Sequence, residues 1–269
     1  MSTIGETSTI NAERIKEYLD NGKRFDGRKL DQFREIIIEK NVSKKAEGSV
    51  RVKLGKTEVL VGVKMGISEP YPDTPDQGGL MVTAELLPLS SERFESGPPK
   101  FPAIELGRVI DRIIRESKFI DFKKLCIKEG EKVWTVFVDI YSMNDDGNLL
   151  DASAIGAVAA LRIAKFPKYD EKEERVVYDE ATTKGLPLEK KAPLSLTIHK
   201  IGEHLIVDPI LEEEDISETR ITIGSTEGII SSLQKGEAVA INVEEMKKLL
   251  DLSEKVTKEV YKKIEKDLN

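Results

Sequence analysis

Residues 48–63 read GSVRVKLGKTEVLVGV, and this stretch decides the fold of the 269-residue chain. Apolar residues alternate with charged or small ones on both sides of Gly55-Lys56. An alternation with a period of two is typical of strands that bury one face, and a glycine between two such runs favours a tight turn. The stretch therefore predicts a β-hairpin that turns at Gly55-Lys56.

Outward from this hairpin, the pattern changes between periods of two and of about 3.6 residues. Further strands are predicted, in chain order, at residues 36–38, 80–87, 133–141, 194–199, 204–207, 220–223 and 228–233. Helices are predicted at residues 11–22, 102–118, 150–165 and 243–267. Adjacent strands followed by a helix, twice over, favour an α+β fold with largely antiparallel pairing.

Some element boundaries are predicted from single residues. Asn11 is expected to cap the first helix, whose apolar face contains Ile15 and Leu19. Pro167 is expected to end the alanine-rich helix, because proline interrupts helical hydrogen bonding. Residues 168–192 are polar and charged, and we interpret them as an exposed excursion from the fold.

Composition excludes several classes of protein. The net charge of −7 argues against a protein that coats duplex nucleic acid, so any such contact must be local or shared with a partner. Because Cys126 is the sole cysteine, an internal disulfide and a cysteine-based zinc site are both excluded, and a reducing cytoplasm is expected. No apolar run is long enough to suggest a membrane span.

Three arginines mark the predicted helix at 102–118. Arg108, Arg112 and Arg115 are spaced by four and three residues, which places them on one stripe of a helix. Three guanidinium groups in a row can follow a phosphate backbone through bidentate contacts. The alternative is pairing within the helix, Asp111 with Arg115 and Glu105 with Arg108.

Two other groups of polar residues are open to both functional and ordinary interpretations. Asp208 and residues 212–215 form an acidic cluster that could bind Mg²⁺ or perform acid–base chemistry, although spacing alone favours a solvated turn. His199 and His204 flank a predicted hairpin, and a pair this sparse favours surface residues over a metal site.

Beyond these patterns, the sequence resembles the ribonuclease PH family from about residue 20 to its end. The motifs that carry the resemblance are, in order, Phe25-Asp26-Gly27-Arg28 with Phe33-Arg34, the hairpin at 48–60, Gly97-Pro98-Pro99 before the arginine helix, Asp145-Asp146-Gly147-Asn148 before the alanine-rich helix, and Asp208-Pro209 followed by residues 212–215. Within that family, the chain resembles the non-catalytic ring subunit of the archaeal exosome.

The resemblance implies a fold and an assembly. The fold would be α+β, with duplicated βαβα units packed as one domain over residues 23–269 and an N-terminal helical extension over residues 1–22. The chain would alternate with a catalytic ribonuclease PH-like exosome subunit, as heterodimers forming a hexameric ring, and would meet RNA-binding cap subunits and single-stranded RNA. Arg108, Arg112 and Arg115 would be the RNA contacts, with Arg108 and Arg112 favoured because Asp111 can pair with Arg115.

Two departures from the active members imply that this chain does not catalyse RNA shortening itself. Active members hold phosphate with a Gly-Ser-Arg or Gly-Thr-Arg run, where this chain has Gly147-Asn148-Leu149. They also carry two aspartates, of which Asp215 matches the first, while Ile221 stands at the second. We therefore expect no catalytic residues, no metal and no cofactor. The alternatives are an active phosphate-dependent 3′-to-5′ exoribonuclease and a ring scaffold that never contacts RNA.

Overall fold

The computed structural model describes residues 7–268, apart from the side chains of residues 179–181. The helices are α1 (Thr9–Asp20), α2 (Phe101–Glu116), α3 (Leu149–Ile163), α4 (Leu211–Asp215) and α5 (Val243–Leu268), with a short 3-10 helix at Phe122–Leu125. The strands are β1 (Ile36–Lys40), β2 (Gly48–Leu54), β3 (Thr57–Ser68), β4 (Gly79–Leu86), β5 (Cys126–Lys128), β6 (Lys132–Asn144), β7 (Lys165–Asp170), β8 (Arg175–Gly185), β9 (Leu194–Ile201), β10 (His204–Val207), β11 (Thr219–Thr226) and β12 (Ile229–Gly236).

Two larger sheets organise the chain. The first has the order β1-β2-β3-β6-β4, with β5 also paired to β6, and the second has the order β10-β9-β11-β12. The pairs are antiparallel except for β4 with β6, which run parallel because α2 makes the crossover between them. None of the described helices is long and apolar enough to cross a membrane.

The hairpin predicted from residues 48–63 is confirmed. Val50 pairs with Val61 and Val52 with Val59, and all four side chains are fully buried. Gly55 adopts a φ of +58°, a left-handed conformation that glycine reaches without steric cost. The alternation therefore turns the apolar face of this hairpin toward the core.

Helix α3 packs against that buried face. It meets β2 so closely that a Cβ atom added to Gly48 would lie 2.3 Å from the carbonyl oxygen of Ala160. The expectation that Pro167 ends this helix is wrong. The helix ends at Ile163, because Ala164 is already extended at ψ 141°, and Pro167 lies within β7.

Residues 168–192, predicted as an exposed excursion, are largely exposed, but the prediction missed that β7 and β8 form a two-stranded hairpin there. The ring of Trp134, in β6, lies 5.3 Å from that of Phe166 and 6.1 Å from that of Tyr169. These aromatic contacts hold β7 against the main sheet, and charged residues on the remaining surface concealed that anchor.

The terminal helices cover the second sheet. Ile15 and Leu19 of α1 are buried against Ile201 and Ile206, as their spacing predicted. The cap differs from the prediction, because the Ser8 hydroxyl accepts the N–H of Asn11 at 3.3 Å and starts the helix earlier. In α5 the predicted apolar stripe is buried, at Leu249, Val256, Val260 and Ile264.

Candidate functional site

Helix α2 lies directly on the edge strand β4. Pro102 stands in its first turn, where the missing N–H costs nothing. A Cβ atom on Gly107 would lie 3.0 Å from the carbonyl oxygen of Val82, so a glycine at this position allows the helix to approach β4 closely. The apolar face of the helix is buried in the core, at Leu106, Val109, Ile110, Ile113 and Ile114.

On the opposite side, α2 and β4 enclose an open groove of about 340 Å³. The side chains and backbone that line it belong to Leu80, Met81, Val82, Arg108, Asp111, Arg112, Arg115 and Glu116. The structure thus brings together the three arginines predicted as site residues, and all three are exposed. Three cations face two carboxylates here, so the groove is locally positive on an acidic protein.

The three guanidinium groups differ in how they are already engaged. Arg115 donates to both carboxylate oxygens of Asp111, at 3.1 and 2.9 Å, and this hydrogen-bonded pair raises the pKa of Arg115. Arg112 donates to the neutral amide oxygen of Gln234 at 3.0 Å. Within residues 7–268, Arg108 has neither a hydrogen-bonding nor an ion-pairing partner for its side chain.

The predicted pair between Asp111 and Arg115 is therefore confirmed, and the predicted pair between Glu105 and Arg108 is wrong. Glu105 instead accepts a hydrogen bond from Arg220 of β11 at 2.7 Å. Because Arg220 of the second sheet engages Glu105, the guanidinium group of Arg108 keeps its hydrogen-bonding capacity among the residues the structure describes. Arg108 and Arg112 thus have no carboxylate partner among residues 7–268.

The acidic cluster is not the solvated turn that its spacing favoured. Glu213 is fully buried in α4 and pairs with the buried Arg24, which also donates to the carbonyl oxygens of Val207 and Asp208 at 2.9 and 2.8 Å. The reason is that cations distant in sequence converge on this segment and compensate for its burial.

Asp208 lies at the centre of a second set of ion pairs. Its carboxylate accepts hydrogen bonds from Arg28 at 2.8 Å and from Arg34 at 2.7 Å. Burial alone would raise the pKa of Asp208, but the hydrogen bonds and charge of Arg34 and Arg28 hold it below its usual value. Asp208 therefore stays ionised and joins the Phe25-Asp26-Gly27-Arg28 motif to the second half of the chain.

The N-terminus of α3 is closed by the protein's own side chains. Asn148 caps the helix, and its backbone N–H donates to Glu214 at 2.8 Å. Part of Glu214 reaches the surface, but its carboxyl group is enclosed, and burial together with nearby Asp145 raises its pKa to about 7. The neighbouring Asp215 is held by two hydrogen bonds from Arg93, both 2.6 Å.

The two histidines lie on the paired strands β9 and β10 and contact different residues. His199 is buried rather than on the surface, and burial together with the charges of Arg220 and Arg24 lowers its pKa to about 3. Its Nδ1 lies 3.1 Å from the Ser217 hydroxyl. His204 lies 2.7 Å from Asp20.

Comparison with known proteins now identifies the fold. Residues 32–167 match domain 1 of the 3′ exoribonuclease family, RNase PH, and residues 191–256 match domain 2 of the same family. The chain belongs to the ribonuclease PH family. The predicted α+β fold of duplicated βαβα units packed as one domain is confirmed.

Two individual relatives are similar to this chain over nearly its whole length. Exosome complex component Rrp42 of Methanothermobacter thermautotrophicus is 46% identical over 258 residues, which are 91% of this chain and 95% of the relative. The protein of the same name from Thermococcus onnurineus is 46% identical over 268 residues, covering 98% of this chain and 97% of the relative.

Solved structures agree with these relatives. A chain in the Archaeoglobus fulgidus exosome with RNA bound to the active site matches with a TM-score of 0.86 at 44% identity, covering 95% of this chain and 98% of that one. Rice Rrp46 matches with a TM-score of 0.68 at 17% identity, which supports the fold alone.

Sequence reasoning missed several residues of this ribonuclease PH-like site. Gln234 and Arg220 engage the arginine helix from strands more than a hundred residues away, so no local pattern could reveal them. Arg93 stands in a loop without periodicity. Ile221, which the resemblance had already matched to an aspartate position, is fully buried in the core.

Proposed function

We propose that this chain is a non-catalytic ring subunit of an archaeal RNA exosome, in which it holds single-stranded RNA for 3′-to-5′ degradation by a catalytic ribonuclease PH-like partner. The partner would alternate with this chain in a hexameric ring of heterodimers that carries RNA-binding cap subunits. The observation that carries the proposal is the groove beside β4, where Arg108 and Arg112 are exposed without a carboxylate partner.

The names of the relatives support the assembly, and the groove supports the contact with RNA. Exposed guanidinium groups bind phosphate oxygens bidentately without reading the base, which suits a subunit that passes any RNA to its partner. Arg115 would contribute less, because Asp111 already neutralises it.

The absence of catalysis is supported by the terminus of α3. Leu149 stands where active relatives carry the phosphate-holding arginine, and the Asn148 N–H is already bonded to Glu214. Phosphate entering there would meet the acidic groups of Asp145, Glu214 and Asp215, of which Glu214 is about half ionised at pH 7. The nearby Arg93 is already bonded to Asp215. Such an environment repels an anion.

Activity assays test the division of labour. With inorganic phosphate present, the chain alone should leave the 3′ end of an RNA oligonucleotide intact, and the mixture with its catalytic partner should shorten it. Phosphate-dependent shortening by the chain alone would refute the non-catalytic assignment.

Binding assays test the groove. In the reconstituted complex, Arg108→Ala with Arg112→Ala should weaken RNA binding roughly tenfold to a hundredfold, because two charge-assisted contacts are lost. The dependence of log Kd on log salt should become shallower by about 1.4, since each single-strand phosphate contact contributes about 0.7.

A control variant removes the same charge elsewhere. Lys172→Ala with Arg175→Ala alters two exposed residues at the turn of the β7–β8 hairpin. It should leave RNA affinity and its salt dependence unchanged. If the Arg108 and Arg112 variant also binds RNA normally at low salt while the ring assembles, the chain is a scaffold that does not contact RNA.

A further inference from the structure

The loop between β3 and β4 presents an aromatic ring to solvent. Tyr71 is 70% exposed, between Pro70 and Pro72. An aromatic ring this exposed has a free face on which another flat ring, such as a nucleic-acid base, can stack.

The loop is held in a defined conformation. The N–H of Thr74 donates to the carbonyl oxygen of Tyr71 at 3.0 Å, and that of Gly130 donates to Pro75 at 2.9 Å. The N–H of Gly78 donates to the carbonyl oxygen of Phe122 at 2.9 Å. The prolines restrict the backbone further, so little conformational entropy would be lost when a ligand covers the ring.

The loop that carries Tyr71 ends beside Arg115, at one end of the groove. The loop leads directly into Leu80, whose carbonyl oxygen accepts from Arg115 at 3.3 Å, and Arg115 itself lies over the ring of Phe122 at 5.5 Å. The pKa of Arg115 is raised mainly by its hydrogen bond to Asp111, and the Tyr71 hydroxyl adds a smaller electrostatic contribution. The phenol group is therefore close enough to Arg115 to interact with it electrostatically.

We propose that Tyr71 is a stacking platform for one base of a single-stranded RNA whose phosphates lie against Arg108 and Arg112. This inference rests on the proposed function and adds a residue to the same site. An aromatic face beside a positive groove is how proteins hold single strands without reading their sequence.

The charges nearby favour a base over a phosphate at the ring. Asp73 is exposed two residues further along the loop, and Arg115 is neutralised by Asp111. Phosphate groups are therefore drawn toward Arg108 and Arg112, while an uncharged base can occupy the ring face. The RNA backbone would therefore contact Arg108 and Arg112, and one RNA base would contact Tyr71.

The test uses the reconstituted complex and an RNA oligonucleotide without inorganic phosphate, so that binding is measured by fluorescence anisotropy without degradation. Tyr71→Ala should weaken binding about tenfold, the effect of losing one stacked base. Tyr71→Phe should bind within about twofold of wild type, because the stacking face remains. The salt dependence should not change, because tyrosine carries no charge.

Two controls isolate the stacking. Tyr178→Ala removes another exposed tyrosine, which contacts Lys64 rather than the arginine stripe, and it should not alter RNA affinity. In the second control, a single abasic nucleotide is moved along the RNA one position at a time. At the position whose base stacks on Tyr71, the wild type and Tyr71→Ala should bind RNA with equal affinity, because neither can form the stack. Absence of such a position would overturn the stacking inference.

The remaining outcomes separate this inference from the proposed function. Normal binding by Tyr71→Ala, combined with weak binding by the Arg108 and Arg112 variant, would overturn the stacking and leave the groove intact. Normal binding by both would overturn the inference and the proposed RNA contact together. In a third outcome, Tyr71→Ala fails to assemble with the partner while Tyr71→Phe assembles normally. That result would mean that the aromatic side chain of Tyr71 contacts protein rather than RNA, and it would overturn the inference.

Discussion

Replacing Arg24 with alanine should destabilise the protein by about 4 kcal/mol, because removal of one partner of a buried ion pair typically costs about 3–5 kcal/mol. The Arg24 guanidinium is fully buried and forms an ion pair with the equally buried Glu213. It also donates to the carbonyl oxygens of Val207 and Asp208. Alanine would leave a buried carboxylate whose remaining hydrogen bond comes from the N–H of Ile210, at 3.0 Å.

A double-mutant cycle can measure how strongly Arg24 and Glu213 stabilise each other. A double-mutant cycle with Arg24→Met and Glu213→Leu should give a coupling energy of at least about 2 kcal/mol, since the double variant removes both charges together. The double variant would still be less stable than wild type, because two backbone carbonyl groups lose their donor. An exposed ion pair serves as the control. Lys100→Ala removes the contact with Glu95 and should leave the free energy of unfolding unchanged within error, because exposed pairs contribute little.

Urea denaturation followed by circular dichroism measures these free energies, and an unchanged m-value would show that the unfolded states are comparable. The melting temperature of Arg24→Ala should fall by roughly 10 °C. A loss of less than about 1 kcal/mol, or a coupling energy near zero, would refute the reasoning, because it would mean that Glu213 is not held as a buried ion.

The remaining predictions concern a titrating carboxyl group and a close contact between backbones. Burial raises the pKa of Glu214 from 4.5 to about 7 in the folded state, so folding favours its neutral form. The contribution of Glu214 to the free energy of unfolding is therefore fully present below about pH 4.5 and is lost as the pH rises through 7. Glu214→Gln should therefore match wild type near pH 5 and be more stable by roughly 1–2 kcal/mol at pH 8, and equal pH profiles in urea titrations would contradict this. Gly48→Ala should destabilise by about 2 kcal/mol or more, because its Cβ would lie 2.3 Å from the carbonyl oxygen of Ala160. Gly62→Ala is its control, because the nearest atom is 3.9 Å away, and similar thermal melts for the two variants would refute the steric argument.

Local patterns predicted the elements that bury one regular face. The alternation around Gly55 fixed the hairpin, and the spacing of Arg108, Arg112 and Arg115 fixed their common stripe, because both depend only on the geometry of a strand or a helix. The hairpin at residues 165–185 was missed, because its anchor is the ring of Trp134 in another strand. The division of the chain at residue 22 stays a prediction.

The state of each charged side chain was not predictable in the same way. The acidic residues at 212–215 gave no local indication of burial, because Arg24, the partner of Glu213, is 189 residues away in sequence. Glu105 was expected to pair with Arg108 one turn along the helix, yet it pairs with Arg220, 115 residues away. Long-range ion pairs depend on where sheets and helices dock, which no short window contains.

By itself, then, the sequence determined most of the strands and helices, the resemblance to the ribonuclease PH family and the arginine stripe, because periodicity and motif order are properties of the chain. The tertiary structure alone decided which charges are free and which are engaged. It leaves Arg108 without a side-chain partner in the part of the chain that is described, closes the N-terminus of α3 with Glu214, and brings the Tyr71 loop to the end of the groove. The physical reason is that hydrogen bonds and ion pairs require atoms within a few ångströms of one another, and only folding brings distant parts of the chain that close.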